Sequence, residues 1–418
     1  MGTAESKLPE PPVKAKSARS ARVSLEYIEE DVQITLDQLI PKGLPSLWQH
    51  QWVKSYHDDH LLYCSVWDTR HPGKRKGVVV FVHGFGLHSH AYDIPFLKVL
   101  AKNDFVAFSF DRRGHGRTAK APGPGKRFGD IGEDHRARLC DIASVIDAAT
   151  HAFPGLPVFL AGHALGGAEV LAFLARWSKS SQARLVEGAL LYAPGHGDAE
   201  FCKAKLPVHS VLKEVYPALV LTGHVTAQMI GSVDGMAPAV GAARKLFTRY
   251  SDSADGTLAF PMLERCLNTA LKMDMEEGDL RAIFDCMDPE GSSKIDMEEF
   301  ILAVLLAGAP DDFVCTGKLL PTSLINLVPY LNGVLASRGS DIKPPLLWLH
   351  GPADRVNPME WAESIVQQAA SSDTTVKLHH GLRHGVFMDK DAPTVLEETI
   401  QWLNERASAG GGGVNMDV

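Results

Sequence analysis

The stretch "VFLAGHALGGAEV", Val158 to Val170, decides the fold of this 418-residue chain. A run of apolar residues leads into a segment that contains Gly162, Gly166 and Gly167, which is the pattern of a buried strand turning sharply into a helix. Glycines suit such an elbow because side chains there would collide with the strand and the helix. The apex of the turn is Ala164. The sequence therefore predicts a strand–turn–helix elbow whose apex carries no functional group.

Apolar runs of the same kind recur along the chain, and each is followed by Gly, His, Asp or Pro. Continuous rather than alternating apolarity predicts strands that are buried on both faces, hence a mostly parallel α/β sheet with helices on both faces. Ligands of such sheets bind beyond the carboxyl ends of the strands. Besides the elbow strand, the runs are LLYCSVW (61–67), GVVVFVHG (77–84), DFVAFSFD (104–111), GALLYAP (188–194), PPLLWLHG (344–351) and TVKLHHG (375–381).

Composition limits the classes of protein that the chain can belong to. It is 45% hydrophobic, which is enough to bury a large core with room for two or three domains. The net charge of −8 is spread along the chain, so no broad basic surface indicates a nucleic-acid partner. The six cysteines show no CxxC spacing, and no apolar segment reaches the roughly 18 residues of a membrane span. We expect free thiols and a cytoplasmic protein.

Four further motifs follow the predicted strands: "HGFGLHSHAYD" (83–93), "DRRGHGRT" (111–118), "LHGPADRVNP" (349–358) and "HGLRHGVFMD" (380–389). With the elbow, and in this order, they resemble the α/β-hydrolase family, in particular its monoglyceride lipase and serine-aminopeptidase-like branch. The resemblance covers about residues 26–195 and 343–405. It implies an α/β-hydrolase fold and a triad in the chain order nucleophile, acid, histidine.

The resemblance also assigns the site residues. Ala164 stands where the family has its nucleophilic serine, Asp354 matches the acid and His384 matches the base. The backbone amides of Phe85 and Leu165 match the two donors of the oxyanion hole. Loss of a triad serine costs about 10⁶-fold in turnover.

Whether the protein is an enzyme stays open at this point. It could be a natural pseudoenzyme, a serine-to-alanine variant of an active acylglycerol hydrolase, or a hydrolase with another nucleophile or a water activated by His384 and Asp354. A scaffold whose pocket is filled by side chains is a further alternative.

About 145 residues separate the two parts of the core, far more than the helical cap of this family usually needs. Near the end of this segment, "LRAIFDCMDPEGSSKIDMEEFILAVLLAG" resembles an EF-hand, with apolar residues at helical spacing on both sides of a twelve-residue loop. Calcium requires six to eight oxygen ligands. The resemblance assigns them to Asp288, Glu290, Ser292, the Lys294 carbonyl, Asp296 (through water) and Glu299. Ser293 replaces the usual glycine, and Glu290 the usual aspartate, so we expect a weak Ca²⁺ site.

A second EF-hand loop is predicted at Ser251–Met262, with Leu258 lying 37 positions before Ile295. It keeps Asp255 and Gly256 but has Met262 where a bidentate glutamate is needed, so we expect it to support its neighbour without binding metal. Because a cap covers the acyl pocket in this family, Ca²⁺ is expected to gate access of an acyl lipid or a protein partner.

The N-terminus matches the M-G-x-x-x-[ST] pattern of N-myristoylation, with Gly2 as the acceptor and Ser6 in the last position. Basic residues that follow would add attraction to an anionic membrane surface, which predicts peripheral membrane contact through this end. The predicted organisation is a disordered tail (1–25), a core in two parts (26–195 and 343–405), an all-α cap insertion (196–342) with the EF-hand pair at about 238–308, and a flexible tail (406–418).

Overall fold

The computed structural model describes residues 48–121, 134–195, 244–252, 254–271, 277–288, 291–297, 299–300, 321–352, 354, 356–387 and 391–410. Outside these ranges lie the predicted N-terminal tail with Gly2, residues 196–243 of the predicted cap, and residues 411–418. The predicted C-terminal tail overlaps a helix, because the last helix runs from Ala392 to Gly410.

One eight-stranded sheet organises the chain, in the order β1-β2-β4-β3-β5-β6-β7-β8. The first three strands in this order pair antiparallel, and all the remaining neighbours pair parallel. The mostly parallel sheet that the apolar runs predict is therefore confirmed. The strands are β1 Trp48–Lys54, β2 Leu61–Trp67, β3 Gly77–Val82, β4 Phe105–Phe110, β5 Val158–His163, β6 Val186–Tyr192, β7 Leu346–His350 and β8 Thr374–Leu378.

Helices connect most of the strands. They are α1 Lys98–Lys102, α2 His135–Ala152, α3 Leu165–Arg176, α4 Ser181–Arg184, α5 Phe260–Leu271, α6 Glu277–Met287, α7 Pro321–Arg338, α8 Met359–Gln368 and α9 Ala392–Gly410. Three of them, α5 to α7, lie in the segment between β6 and β7, which is called the insertion below. Residues 244–250 are also helical. None of the described helices is long and apolar enough to cross a membrane.

Strand β3 illustrates why these apolar runs form a buried parallel sheet. Val78, Val80 and Val82 belong to one apolar cluster, and Val79 and Phe81 belong to another on the opposite face. All six residues of β3 are buried. A strand that is covered on both faces needs apolar residues at every position, which explains the continuous runs.

Strand β1, "WQHQWVK", is absent from the predicted strands because it lies at the edge of the sheet. It pairs with β2 alone, and three consecutive polar residues, Gln49 to Gln51, precede the only apolar pair within it, Trp52 and Val53. An edge strand with several polar residues gives a much weaker sequence signal than a buried strand.

The insertion packs against the sheet rather than standing apart from it. Phe284, Ile295 and Phe300 belong to the same apolar cluster as Phe96 and Phe387 of the region around the elbow. The described part of the insertion and this face of the sheet therefore share one core.

At the elbow, α3 begins directly against the end of β3. A Cβ atom added to Gly166 would lie 2.2 Å from the Val82 carbonyl oxygen and 2.6 Å from that of His83. Only glycine fits this contact, because both neighbours are backbone atoms that cannot turn away.

We therefore expect Gly166→Ala to lower the free energy of unfolding by about 2–3 kcal/mol, although alanine favours helix elsewhere. Urea denaturation monitored by circular dichroism measures the change. Gly73→Ala is the matched control, because its Cβ would meet nothing within 4 Å. Equal stability of the two variants would contradict the close-contact explanation.

Candidate active site

Ala164 sits at the apex of the elbow, between the end of β5 and the start of α3. Its backbone has φ +50° and ψ −121°, a conformation that is costly for a residue with a Cβ. Its amide donates to the Tyr192 carbonyl at 2.9 Å, and its carbonyl accepts from Gly195 N at 3.1 Å. The elbow thus keeps the strained geometry that presents a nucleophile, with a methyl group at its tip.

Asp354 and His384, which lie 30 positions apart in the sequence, form a buried pair. His384 Nδ1 lies 2.8 Å from Asp354 Oδ2. The other carboxylate oxygen accepts from the amides of Val356 at 2.8 Å and Asn357 at 3.0 Å. The sequence-predicted acid and base are therefore brought together, with the carboxylate oriented by backbone donors.

The pKa of Asp354 reflects these contacts. Burial alone would raise it, but the hydrogen bonds from His350 and His384 and the charge of His384 hold it well below its usual range. His350 Nε2 lies 3.5 Å from the carboxylate and 3.0 Å from the Asn357 carbonyl. The sequence alone gives no sign of a role for His350, because its contact with Asp354 depends on the turn after β7.

His163 connects this pair to the elbow and to the loop after β3. Its Nε2 donates to the His384 carbonyl at 2.9 Å, and its Nδ1 lies 2.8 Å from the Tyr92 hydroxyl. The same hydroxyl accepts from the Gly84 amide at 3.0 Å. Burial lowers the pKa of His163 to about 3, so the ring is neutral and can bridge a donor and an acceptor.

The predicted oxyanion donors lie on either side of this chain of hydrogen bonds. Leu165 is the first residue of α3, and Phe85 follows Gly84 in the loop after β3. In the described part of the chain, no protein group accepts a hydrogen bond from either amide. Both donors are backbone groups, so the alanine at position 164 leaves them unchanged.

Two buried histidines shape the loop that carries Phe85. His83 Nδ1 donates to the Gly84 carbonyl at 2.8 Å, and its Nε2 accepts from the Arg112 amide at 3.0 Å. His115 Nδ1 lies 2.8 Å from the Arg113 carbonyl, and its Nε2 accepts from the Gly86 amide at 3.4 Å. Burial holds the pKa of both rings well below the usual value, so they act as neutral connectors.

Hydrogen bonds within the predicted Ca²⁺-binding loop connect several of its expected ligands. Asp288 Oδ1 accepts from the amide and hydroxyl of Ser292 at 2.9 and 2.8 Å, and its Oδ2 accepts from the Ser293 amide at 2.7 Å. The Lys294 carbonyl accepts from the Ser292 hydroxyl at 2.7 Å. Glu290 lies outside the described residues. Within the part of the chain that is described, no group of three or more His, Cys, Asp or Glu side chains is arranged to hold a metal.

Two lysines of α1 contact the last two predicted ligands of this loop. Lys98 Nζ lies 3.0 and 3.1 Å from the Asp296 carboxylate oxygens and 3.4 Å from Glu299 Oε1. Lys102 Nζ lies 3.6 Å from the same Glu299 oxygen. Burial tends to raise the pKa of Asp296, but the Lys98 ammonium lowers it overall. The sequence gives no signal for these contacts, because nearly 200 positions separate Lys98 from Asp296.

Three features together define a hydrolase-type α/β site. They are the elbow after β5, the acid–histidine pair after β7 and β8, and the backbone donors after β3. The family model described as "Serine aminopeptidase, S33" matches residues 73–244 and 303–391. The chain belongs to this family of monoglyceride-lipase-like α/β-hydrolases.

Curated relatives agree with this assignment. The chain is 25% identical over 330 residues to the monoacylglycerol lipase of Mycolicibacterium smegmatis, which covers 78% of this chain and 88% of the relative. It is 24% identical over 358 residues to the human monoglyceride lipase, which covers 85% of this chain and 90% of the relative. A crystal structure of a soluble variant of the Saccharomyces cerevisiae monoglyceride lipase with a substrate analog aligns at 18% identity and a TM-score of 0.46, covering 87% of this chain and 96% of that one.

The folded-state pKa of Asp354 lies below its unfolded value, so the carboxylate stabilises the fold above about pH 4, the unfolded value. Its contribution is lost as the pH falls through the folded pKa. We expect Asp354→Asn to cost about 1.5–3 kcal/mol at pH 7, because His384 loses a charged partner. Urea unfolding at a series of pH values should show the difference from the parent protein shrinking below about pH 4.

Asp341→Asn is the control, because this half-exposed carboxylate lies 3.8 Å from Arg338 at the surface and should contribute little. A constant difference between Asp354→Asn and the parent protein down to pH 2 would contradict the assigned pKa direction.

Proposed function

We propose that this protein is a calcium-binding pseudoenzyme that uses a monoglyceride-lipase-like fold to bind an acyl lipid or a protein partner. The observation that carries the proposal is the strained elbow at Ala164 beside the His384–Asp354 pair. A methyl group cannot attack a carbonyl carbon, so the site lacks the group that begins serine hydrolysis.

The rival is an active acylglycerol hydrolase in which position 164 is a serine. The intact acid–histidine pair and the elbow geometry favour it as the nearest alternative, since both are what a serine at this position would need. Water activated by His384 is a further form of this alternative. The pseudoenzyme proposal and the activated-water form differ in whether the present chain, which carries Ala164, hydrolyses an ester at this site. The serine form of the rival differs from both in the residue at position 164.

A fluorophosphonate probe and an ester-hydrolysis assay together test whether the present chain is inactive and whether the rest of its site can support a serine. We expect no labelling of the parent protein, because the covalent step requires a nucleophile at the elbow. Ala164→Ser should be labelled and should gain esterase activity by at least about 10³-fold on a monoacylglycerol or short acyl ester, part of the about 10⁶-fold that a triad serine supplies. In-gel fluorescence and ester hydrolysis are the measurements.

The control is the double variant Ala164→Ser with His384→Ala, which should lose the labelling that Ala164→Ser alone gains. Labelling or turnover of the parent chain that depends on His384 would overturn the pseudoenzyme proposal in favour of a hydrolase with another nucleophile or with a water activated by His384.

The calcium-binding part of the proposal concerns the loops 251–262 and 288–299. The family model leaves residues 245–302 unmatched, and both loops lie within this gap. Leu258 and Ile295, each at the eighth position of its loop, exchange two backbone hydrogen bonds of 2.8 Å. Gly256 and Ser293, each at the sixth position, have φ values of +67° and +63°. These features support a pair of EF-hands, of which the second offers Ca²⁺ ligands.

The lysine contacts support a weak site and a mechanism for gating. Ca²⁺ and the Lys98 ammonium would compete for Asp296 and Glu299, because both are cations drawn to the same carboxylates. Lys98 is buried, and it begins α1 directly after the segment that carries Tyr92 and Phe96. Displacement of Lys98 by the ion would therefore loosen the insertion from the residues that contact His163 and the loop of Phe85.

Isothermal titration with Ca²⁺ tests this part of the proposal. We expect one site in the parent protein and its loss in Glu299→Gln, which lacks the bidentate carboxylate. Lys98→Met should tighten binding by about tenfold, since about 1.4 kcal/mol of competition is removed. Lys74→Met, an exposed lysine, is the matched control and should leave the affinity unchanged.

The gate is tested with the same protein by binding of a monoacylglycerol analog in Ca²⁺ or in a chelator. Equal lipid affinity in both conditions would overturn the gate, and absence of heat with Ca²⁺ in both the parent protein and Lys98→Met would overturn the calcium site itself.

Peripheral membrane contact through a myristoylated Gly2 completes the proposal. It stays a prediction from the sequence, because the residue lies outside the described part of the chain. One acyl chain binds membranes only marginally, so the basic residues that follow would supply a second attraction.

A further inference from the structure

A buried charge cluster lies one turn along α3 from the elbow. Glu169 accepts from Arg112 Nη1 at 3.0 Å, and its other oxygen accepts from Arg138 Nε of α2. The exposed fraction is 1% for Glu169, 3% for Arg112 and 4% for Arg138. Two guanidinium groups share one carboxylate, so the cluster carries a net charge of +1 away from solvent.

Both guanidinium groups keep donors that the carboxylate does not use. Arg112 Nε and Nη2, and Arg138 Nη1 and Nη2, have no hydrogen-bond partner among the described residues. Nε and Nη2 lie on one edge of the arginine guanidinium, and this edge can donate two parallel hydrogen bonds to two oxygens of one anion. Buried charged donors without partners are rare and costly in native proteins, so the N–H groups of these four nitrogen atoms require acceptors.

Three nearby carboxylates among the described residues are already engaged with other partners. Asp141 binds Arg113 through both of its oxygens at 2.7 and 2.8 Å. Asp111 accepts from Ser89 and from the Arg117 amide. Asp134 caps α2 and pairs with Arg136 at the surface.

Further groups around the cluster favour an anion. His135 is the first residue of α2, an 18-residue helix whose N-terminus carries a partial positive charge. Both of its ring nitrogens, and the hydroxyl of Tyr330 whose ring centroid lies 5.6 Å from that of His135, are buried without hydrogen-bond partners in the described part of the chain. Burial lowers the pKa of His135, so its ring stays neutral with one donor and one acceptor.

We propose that Arg112 and Arg138, with His135 and Tyr330 beside them, bind a small oxyanion, either a carboxylate or a phosphate. The arginine edges fit a ligand with two adjacent oxygens, whereas a spherical halide can occupy only one point of each edge. The bound anion would neutralise the surplus charge and hold α2, α3 and α7 together behind the elbow. This site uses none of the groups proposed for hydrolysis or calcium binding.

Thermal unfolding of the full chain tests the proposal, with potassium phosphate, acetate or chloride at matched ionic strength in buffers from which Ca²⁺ has been removed by a chelating resin. We expect phosphate, acetate or both to raise the Tm by about 3 °C or more at 100-fold excess over the Kd, and chloride to have no such effect. Isothermal titration with inorganic phosphate and with acetate then identifies which oxyanion binds.

Arg138→Gln should abolish the oxyanion-dependent shift, whereas Arg136→Gln, a half-exposed arginine on the same helix, should keep it. Glu169→Gln provides a second test, which remains valid if Arg138→Gln fails to fold. It removes the internal carboxylate that competes with the ligand, so we expect oxyanion binding at least about tenfold tighter and a larger Tm shift. Equal shifts in chloride and in the oxyanions, a shift that survives Arg138→Gln, or weaker binding by Glu169→Gln would overturn the proposal.

Discussion

The backbone contact between the start of α3 and the end of β3 is the constraint on which the site depends. Gly166 lies so close to the Val82 carbonyl that no side chain fits, and residue 164, two positions earlier, has a positive φ. The turn is fixed from the other side by the Tyr192 carbonyl. Once the elbow is fixed, His163 lies within hydrogen-bond reach of the His384 backbone and of Tyr92. The geometry of the site is therefore set by the chain trace more than by the residue at the apex.

An alanine in this conformation carries strain, of order 1–3 kcal/mol, that normally accompanies a catalytic serine. The contacts of the turn with the sheet on both sides fix the backbone of residue 164. The strain therefore persists whatever residue stands at the apex. The same reasoning explains the neutral histidines at positions 83, 115 and 163. Burial removes their charge, which makes each a bridge between backbone or hydroxyl groups rather than an acid or a base.

Two groups of buried charges bear on the proposed calcium and oxyanion sites. Lys98 joins α1 to Asp296 and Glu299 of the insertion, and Glu169 holds Arg112 and Arg138 behind the elbow. Charges in such surroundings are retained only with partners, because the cost of burying an unpaired ion is several kcal/mol. Together with the apolar cluster that the insertion shares with the sheet, the Lys98 contact ties the insertion to the helix next to the site.

The sequence by itself determined the mostly parallel sheet, the elbow, and the positions of Asp354 and His384. Continuous apolar runs and glycine-rich turns are local patterns, and the order of the motifs along the chain carries the family resemblance. Only the tertiary structure decided that His350, Tyr92 and His163 support the acid–histidine pair, that β1 extends the sheet, and that Lys98 meets Asp296. Those contacts join residues far apart in the chain. The sequence around a single lysine, histidine or glutamate does not show which residue it will contact once both are buried.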